Sequence, residues 1–230
     1  MPDTDPGTVF PPELRQIILE AQEAGFVGSG PVAPHLRHAE GFVMLARRQE
    51  APPAAGPPPR LLDLGSGGGL PGLVVALGWP EALLTLLDAN RRRSVFLSAA
   101  VARLGLGDRV VVVQERAEVA GREPGYRAGF DGVVVRSFGS PGVVAECAAP
   151  FLRPGGWAIV SEPPGSAAGG AGAPGTHNPA RWPTGPLGQF GLVPGDFVQL
   201  EAGYQILHQV EPCPDRFPRR DGRPAKKPLF

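Results

Sequence analysis

Hydrophobic positions along this chain change their rhythm near residue 60. Before it, the segment 12–24 (PELRQIILEAQEA) places Leu14, Ile17, Ile18 and Ala21 at helical spacing, and the segment 35–48 does the same with Leu36, Phe42, Val43 and Leu45. That spacing lines one face of an α-helix, so two helices are predicted there. After it, short unbroken apolar runs alternate with longer amphipathic stretches. The runs predict strands at 60–64, 82–87, 109–114, 130–135 and 157–161, and the stretches predict helices at 70–77, 91–104 and 141–151. Strands rich in Val, Leu and Ile have no polar face to give to water, which implies a parallel sheet covered by helices on both sides. Residues 197–200 and 204–210 flank Glu201-Ala202-Gly203 and read as a closing hairpin. The expected fold is a doubly wound, Rossmann-like α/β domain with a mostly parallel sheet, preceded by a short helical cap. No internal repeat is visible.

Composition adds punctuation to that pattern. Proline and glycine concentrate at 51–59 (APPAAGPPP) and at 163–186, which read as a linker and a long loop. The expected divisions are a cap over 1–50, the linker over 51–59, a ligand-binding domain over 60–213 and a basic tail over 214–230. A chain of 230 residues buries an ample core without disulfides. Cys147 and Cys213 lie far apart with no ligand-spaced partner, which argues against a metal site or a disulfide framework and for a reducing compartment. No leader pattern and no apolar run of membrane-spanning length appears, so a soluble, cytoplasmic protein is expected. The formal net charge is zero, which excludes polyanion binding by bulk field. The last fifteen residues are different: Arg216, Arg219, Arg220, Arg223, Lys226 and Lys227 face one acid, Asp221. Such a run is either a phosphate contact or a solvated terminus.

The candidate chemistry begins at LLDLGSGGGLPGLVVAL. A predicted strand runs into Gly65, Gly67, Gly68 and Gly69 and resumes as a helix. Glycine is needed where the backbone takes positive φ or a ligand approaches closely, and a helix N-terminus offers unpaired N–H groups. Asp88, at the end of the second strand and about 20 residues further on, suits ribose hydroxyls, a requirement shared by NAD and S-adenosylmethionine. Asp63 separates the two. An acid at the end of the first strand suits a cofactor carrying an ammonium and a cationic sulfonium, and it disfavours a pyrophosphate. S-adenosylmethionine is the expected cofactor.

These residues resemble the bacterial small-subunit ribosomal RNA guanine-N7 methyltransferases, the RsmG or GidB family. The resemblance runs from about Gly25 onward, through DLGSGGGLPG (63–72), LLDANRRRSVFL (86–97), ERAEV (115–119), VVVRSFG (133–139) and RFPRRDGRPAKKPLF (216–230). It implies a class I methyltransferase fold, S-adenosylmethionine as cofactor, small-subunit ribosomal RNA or the ribosomal particle as partner, and neither metal nor membrane. To Asp63, Gly67, Gly69 and Asp88, already expected at the cofactor from the turn and the second strand, the resemblance adds that Gly65 and Leu70 line the cofactor, that Ala117 and Glu118 hold the adenine, and that Arg136 lies at the active site near it. Arg136, Phe138 and Glu162, with Arg219, Arg220, Lys226 and Lys227 of the tail, are the expected substrate contacts. His38 falls where the family keeps a histidine, with a packing role and a catalytic role both open. This sequence departs from the family in its shorter N-terminal region, in Ser137 and Phe138 after the arginine, and in Glu162 where a lysine is usual. The acid leaves open a small cationic substrate, and a non-catalytic cofactor-binding paralogue is a third reading. No residue is assigned as a proton carrier.

Overall fold

In the computed structural model, residues 10–49, 56–163 and 179–230 are described. Residues 1–9 of the expected cap, 50–55 around the start of the linker and 164–178 of the expected loop lie outside them. Seven strands form one sheet in the order β3-β2-β1-β4-β5-β7-β6. They are β1 (Arg60–Leu64), β2 (Leu83–Leu87), β3 (Val110–Val113), β4 (Phe130–Val135), β5 (Leu152–Glu162), β6 (Leu192–Gln199) and β7 (Gly203–Gln209). The first five run parallel, and β7 lies antiparallel between β5 and β6. The helices are α1 (Pro12–Glu23), α2 (Val32–Gln49), α3 (Gly72–Gly78), α4 (Arg91–Arg103), α5 (Ala117–Ala120), α6 (Pro141–Ala148), α7 (Thr184–Gly188) and α8 (Arg223–Lys226).

Alternation along the strands divides the core in two. Leu61, Leu84, Leu86, Val134, Ile159 and Ile206 face a cluster shared with α1 to α4. Leu62, Leu64, Leu87, Val133, Val135, Ala158 and Leu207 face one shared with α5, α6 and α7. Burial on both faces explains why the strands read as unbroken apolar runs. The cap is part of the first cluster: Leu14, Ile17, Ile18, Phe42 and Leu45 pack with Leu73 and Val74 of α3. Gly41 in α2 lets Tyr204 of β7 approach, and the Tyr204 hydroxyl donates to the His38 carbonyl at 2.6 Å. Residues 214–230 are likewise packed. Phe217 is buried against Phe190, and Arg127 donates to the carbonyls of Cys213 at 2.8 Å and Phe217 at 2.9 Å.

Several boundaries differ from expectation, each at proline or glycine. The third helix begins at Gly72 because Leu70 and Pro71 belong to the turn before it. β5 begins at Leu152, and β4 and β5 shift register between Phe130 and Gly132, which carries Pro154-Gly155-Gly156 within the strand. β6 begins at Leu192, since an edge strand tolerates Pro194, again with a register shift. Among the described residues no helix is long and apolar enough to cross a membrane, and no group of three or more His, Cys, Asp or Glu is placed to hold a metal.

Candidate active site

The glycine turn leaves the C-terminal end of β1, where strand order reverses between β1 and β4 and open α/β sheets bind ligands. Gly65, Gly67 and Gly69 have φ of 75°, 58° and 95°, the left-handed region that favours glycine. The N–H groups of Gly65 and Ser66 both donate to the Leu87 carbonyl, at 2.9 and 3.0 Å, which ties the turn to β2. Asp63 is buried beneath it. Its Oδ2 accepts the Gly72 N–H at 3.0 Å, while Oδ1 is buried with no partner. Burial pushes this carboxyl up to about 7, and the charge of Asp88 acts in the same direction. A buried acid with one unanswered oxygen is fitted to meet a cation.

A cavity of about 330 Å³ opens above the turn, within the range of small-molecule sites. Gly65, Asp88, Ala117, Glu118 and Phe138 line it, joined by Arg116, Cys147 and Ala225. A Cβ on Gly65 would come within 2.5 Å of the Phe138 ring, so the wall requires glycine there. Asp88 accepts the N–H of Gly67 at 2.9 Å and of Asn90 at 2.8 Å, and each oxygen keeps a second acceptor direction. The other expected cofactor residues do not line this cavity. Asp63 and Gly67 support its floor. A Cβ on Gly69 would meet Leu73, and Leu70 belongs to the first core cluster, so both serve packing. Glu118 has a second duty: its Oε1 accepts from Arg116 at 3.1 Å and from the Gly222 N–H at 2.9 Å, fastening the tail to the cavity wall. Burial opposes the Glu118 charge, but these donors outweigh it and lower its pKa.

Arg136 lines a second cavity, of about 400 Å³, together with His38, Glu162, Arg181 and Trp182. Ser137 and Phe138 line both cavities. Ser137 holds φ at 54°, an unusual value for a residue with a side chain and one that recurs at functional turns. The Arg136 guanidinium donates through Nη2 to His35 Nδ1 at 2.9 Å, and His35 Nε2 faces the Gly28 carbonyl at 3.1 Å. That pair of partners requires the neutral tautomer protonated at Nε2. Burial, then the Arg136 charge, lowers His35 and brings His38 down to about 4, so neither imidazole is cationic near neutral pH. His38 stacks on Phe42 and packs edge-on to Tyr204, with its Nε2 and Arg136 Nη1 both buried and unpartnered.

Glu162 is not free in this cavity. Its Oε1 accepts the Trp182 indole N–H at 2.6 Å and its Oε2 accepts Arg181 Nε–H at 2.5 Å. The charge reversal therefore brings its own cation with it.

The tail residues part company. Arg219 is committed to Glu146 of α6, a carboxylate with no exposure, through Nε at 2.8 Å and Nη2 at 2.6 Å. Lys227 lies outside the basic hollow of about 540 Å³ that Arg220 and Lys226 line with Arg122, Arg216 and Arg223. His35, Arg122, Arg181 and Trp182 were not singled out by sequence. Each meets its partners through the fold, and the motif PARW (179–182) lies within the stretch 163–186 that reads only as a loop.

A sequence model described as rRNA small subunit methyltransferase G matches residues 53–161. The ribosomal RNA small subunit methyltransferase G of Prochlorococcus marinus strain MIT 9313 is 38% identical over 182 residues, covering 75% of this chain and 68% of that protein. The protein of the same name from Moorella thermoacetica is 33% identical over 193 residues, covering 84% and 77%. Among solved structures, a putative O-methyltransferase from Klebsiella pneumoniae aligns with a TM-score of 0.60 at 17% identity, over 87% of this chain and 91% of that one. An O-methyltransferase from Bacillus cereus in complex with SAH gives 0.59 at 14%, over 87% and 92%. The last two are likenesses of fold.

Proposed function

This chain belongs to the small-subunit ribosomal RNA methyltransferase G family, a class I methyltransferase that uses S-adenosylmethionine, and from that premise we propose that it methylates N7 of a guanine in small-subunit ribosomal RNA, in the cytoplasm. The observation that carries this reading is the junction of two cavities at Ser137 and Phe138, one over the glycine turn and one over the ends of β4 and β5. The bound cofactor supplies an electrophilic methyl on a sulfonium. The chain's part is to hold the two reactants in line and keep water out. Asp88 would accept hydrogen bonds from the ribose hydroxyls, Ala117 and Glu118 would border the adenine, and Asp63, beneath the turn, would favour the ammonium through its charge. Gly67 shapes the turn, while Gly69 and Leu70 hold it to the core.

In the second cavity the guanine lies against Phe138, and Arg136 donates from Nη1 to O6. That contact turns N7 toward the first cavity. N7 carries a lone pair and no proton, so no general base is required, which agrees with the lack of an acid–base dyad at the junction among the described residues. The methylated purine is cationic, and an aromatic face beside it favours that charge. Arg220 and Lys226, with Arg223, contact RNA phosphates.

The test is incubation with labelled S-adenosylmethionine and small-subunit particles lacking the modification, followed by mass spectrometry of the nucleosides. The expected product is 7-methylguanosine. A different methylated nucleoside, or label on small molecules alone, would overturn the assignment.

A further inference from the structure

The second cavity has a deep cation and a rim cation. Arg136 is the deep one, and Arg181 is the rim one, with its side chain 30% exposed. How Arg181 is held is informative. Glu162 grips it through Nε, and the opposite oxygen of the same carboxylate takes the Trp182 indole N–H. Trp182 is 3% exposed within the second core cluster, so the carboxylate is fixed from the protein side. Among the described residues, neither terminal nitrogen of the Arg181 guanidinium has a partner.

We propose that Arg181 binds the backbone phosphate of the nucleotide whose base enters the second cavity, with Glu162 and Trp182 as its positioning residues. This rests on the RNA substrate proposed above. A guanidinium held through Nε still presents N–H donors from its other nitrogens, the geometry that suits a phosphate. An unrestrained arginine loses rotamer freedom when it grips an anion, and the Glu162 contact has already removed much of that freedom. The carboxylate's charge is offset by the guanidinium it holds, and the guanidinium is the more exposed member of the pair, so an incoming phosphate meets the cation first. A base edge is the poorer ligand for Arg181: guanine O6 falls to the deep arginine, and N7 must stay open to the methyl group.

The experiment uses the full chain and unmodified small-subunit particles, with Arg181→Ala, Arg181→Lys and Arg181→Ala in a Glu162→Gln background. The double variant leaves no orphaned buried charge. Expected for Arg181→Ala and the double variant is a KM for particles raised about tenfold or more, the range for a charged hydrogen bond. Their kcat, melting temperature and SAH affinity stay near wild type. The slope of log affinity against log salt should flatten by about 0.7, one contact on a single strand, while Arg181→Lys keeps the slope. An unchanged KM and slope overturns the inference. So does a raised KM with an unchanged slope, which would mark a contact to the base, or a loss of melting temperature and SAH affinity in the double variant, which would mark a structural role. If wild type fails to methylate the particles, the RNA reading fails and this inference falls with it.

Discussion

Asp63 shows how much one side chain can report. Its carboxyl is pushed up to about 7 by burial, against 3.8 for a free aspartate, so the folded chain holds this proton more tightly than the unfolded one. The stability that goes with the protonated form is therefore complete below about pH 3.8 and is lost as pH rises through about 7. Asp63→Asn, which never ionises, should melt higher than wild type by a margin that widens between about pH 5 and about pH 8, as calorimetry of the free protein would record. Cofactor binding should run the other way. Wild type should bind S-adenosylmethionine more tightly as Asp63 ionises, by at most about tenfold per pH unit for one proton, and Asp63→Asn should bind weakly with a flat profile. Asp88→Asn should weaken SAH binding by about 1.5–3 kcal/mol in a titration at fixed pH, through loss of a charged acceptor. Both acids and the turn between them were legible in the sequence because strand, turn and carboxylate lie close along the chain. Arg181 was not, since its meaning comes from Glu162, which β5 brings beside it.

At the scale of elements, two contacts hold the periphery to the sheet and can be broken singly. A methyl group on Gly41 of α2 would overlap the Tyr204 ring and hydroxyl, so Gly41→Ala should destabilise the protein by about 1–3 kcal/mol, the usual range for overpacking. Urea denaturation measures it, and a neutral result would mean that α2 slides without loss. Arg219→Ala strands the buried Glu146 carboxylate and should cost about 3 kcal/mol. The double variant with Glu146→Gln should recover part of that loss. The helices of the cap and the parallel strands were legible from periodicity, while the ends of α3, β5 and β6 were not. Proline and glycine read as stops, yet Gly155 and Gly156 sit at a register shift and Pro194 on an edge strand. Propensity gives way there to the pairing of neighbouring strands.

For the whole molecule, net neutrality conceals an uneven surface. Arg220, Arg223 and Lys226 border the basic hollow with no ion-pair partner among the described residues, whereas Arg219 is spent on Glu146. Replacing those three by Gln should flatten the salt dependence of RNA binding by about 0.7 per lost contact on a single strand and leave the melting temperature within experimental scatter. An unaltered slope would return them to the role of a solvated surface. The doubly wound order was legible from alternating strands and helices, but the docking of residues 214–230 was not, since a run of charges carries no sign of what it packs against. That docking bears on how the protein is made. Gly68 of the turn lies against Phe26 and Val27, while the wall of the same cavity is completed by Ala225 and pinned through Gly222 to Glu118. A nascent chain has its glycine turn long before it has this wall, and residues 222–225 must clear the ribosome before the pocket closes. Each molecule thus completes the wall of this cavity only after residues 222–225 have emerged and docked against Glu118.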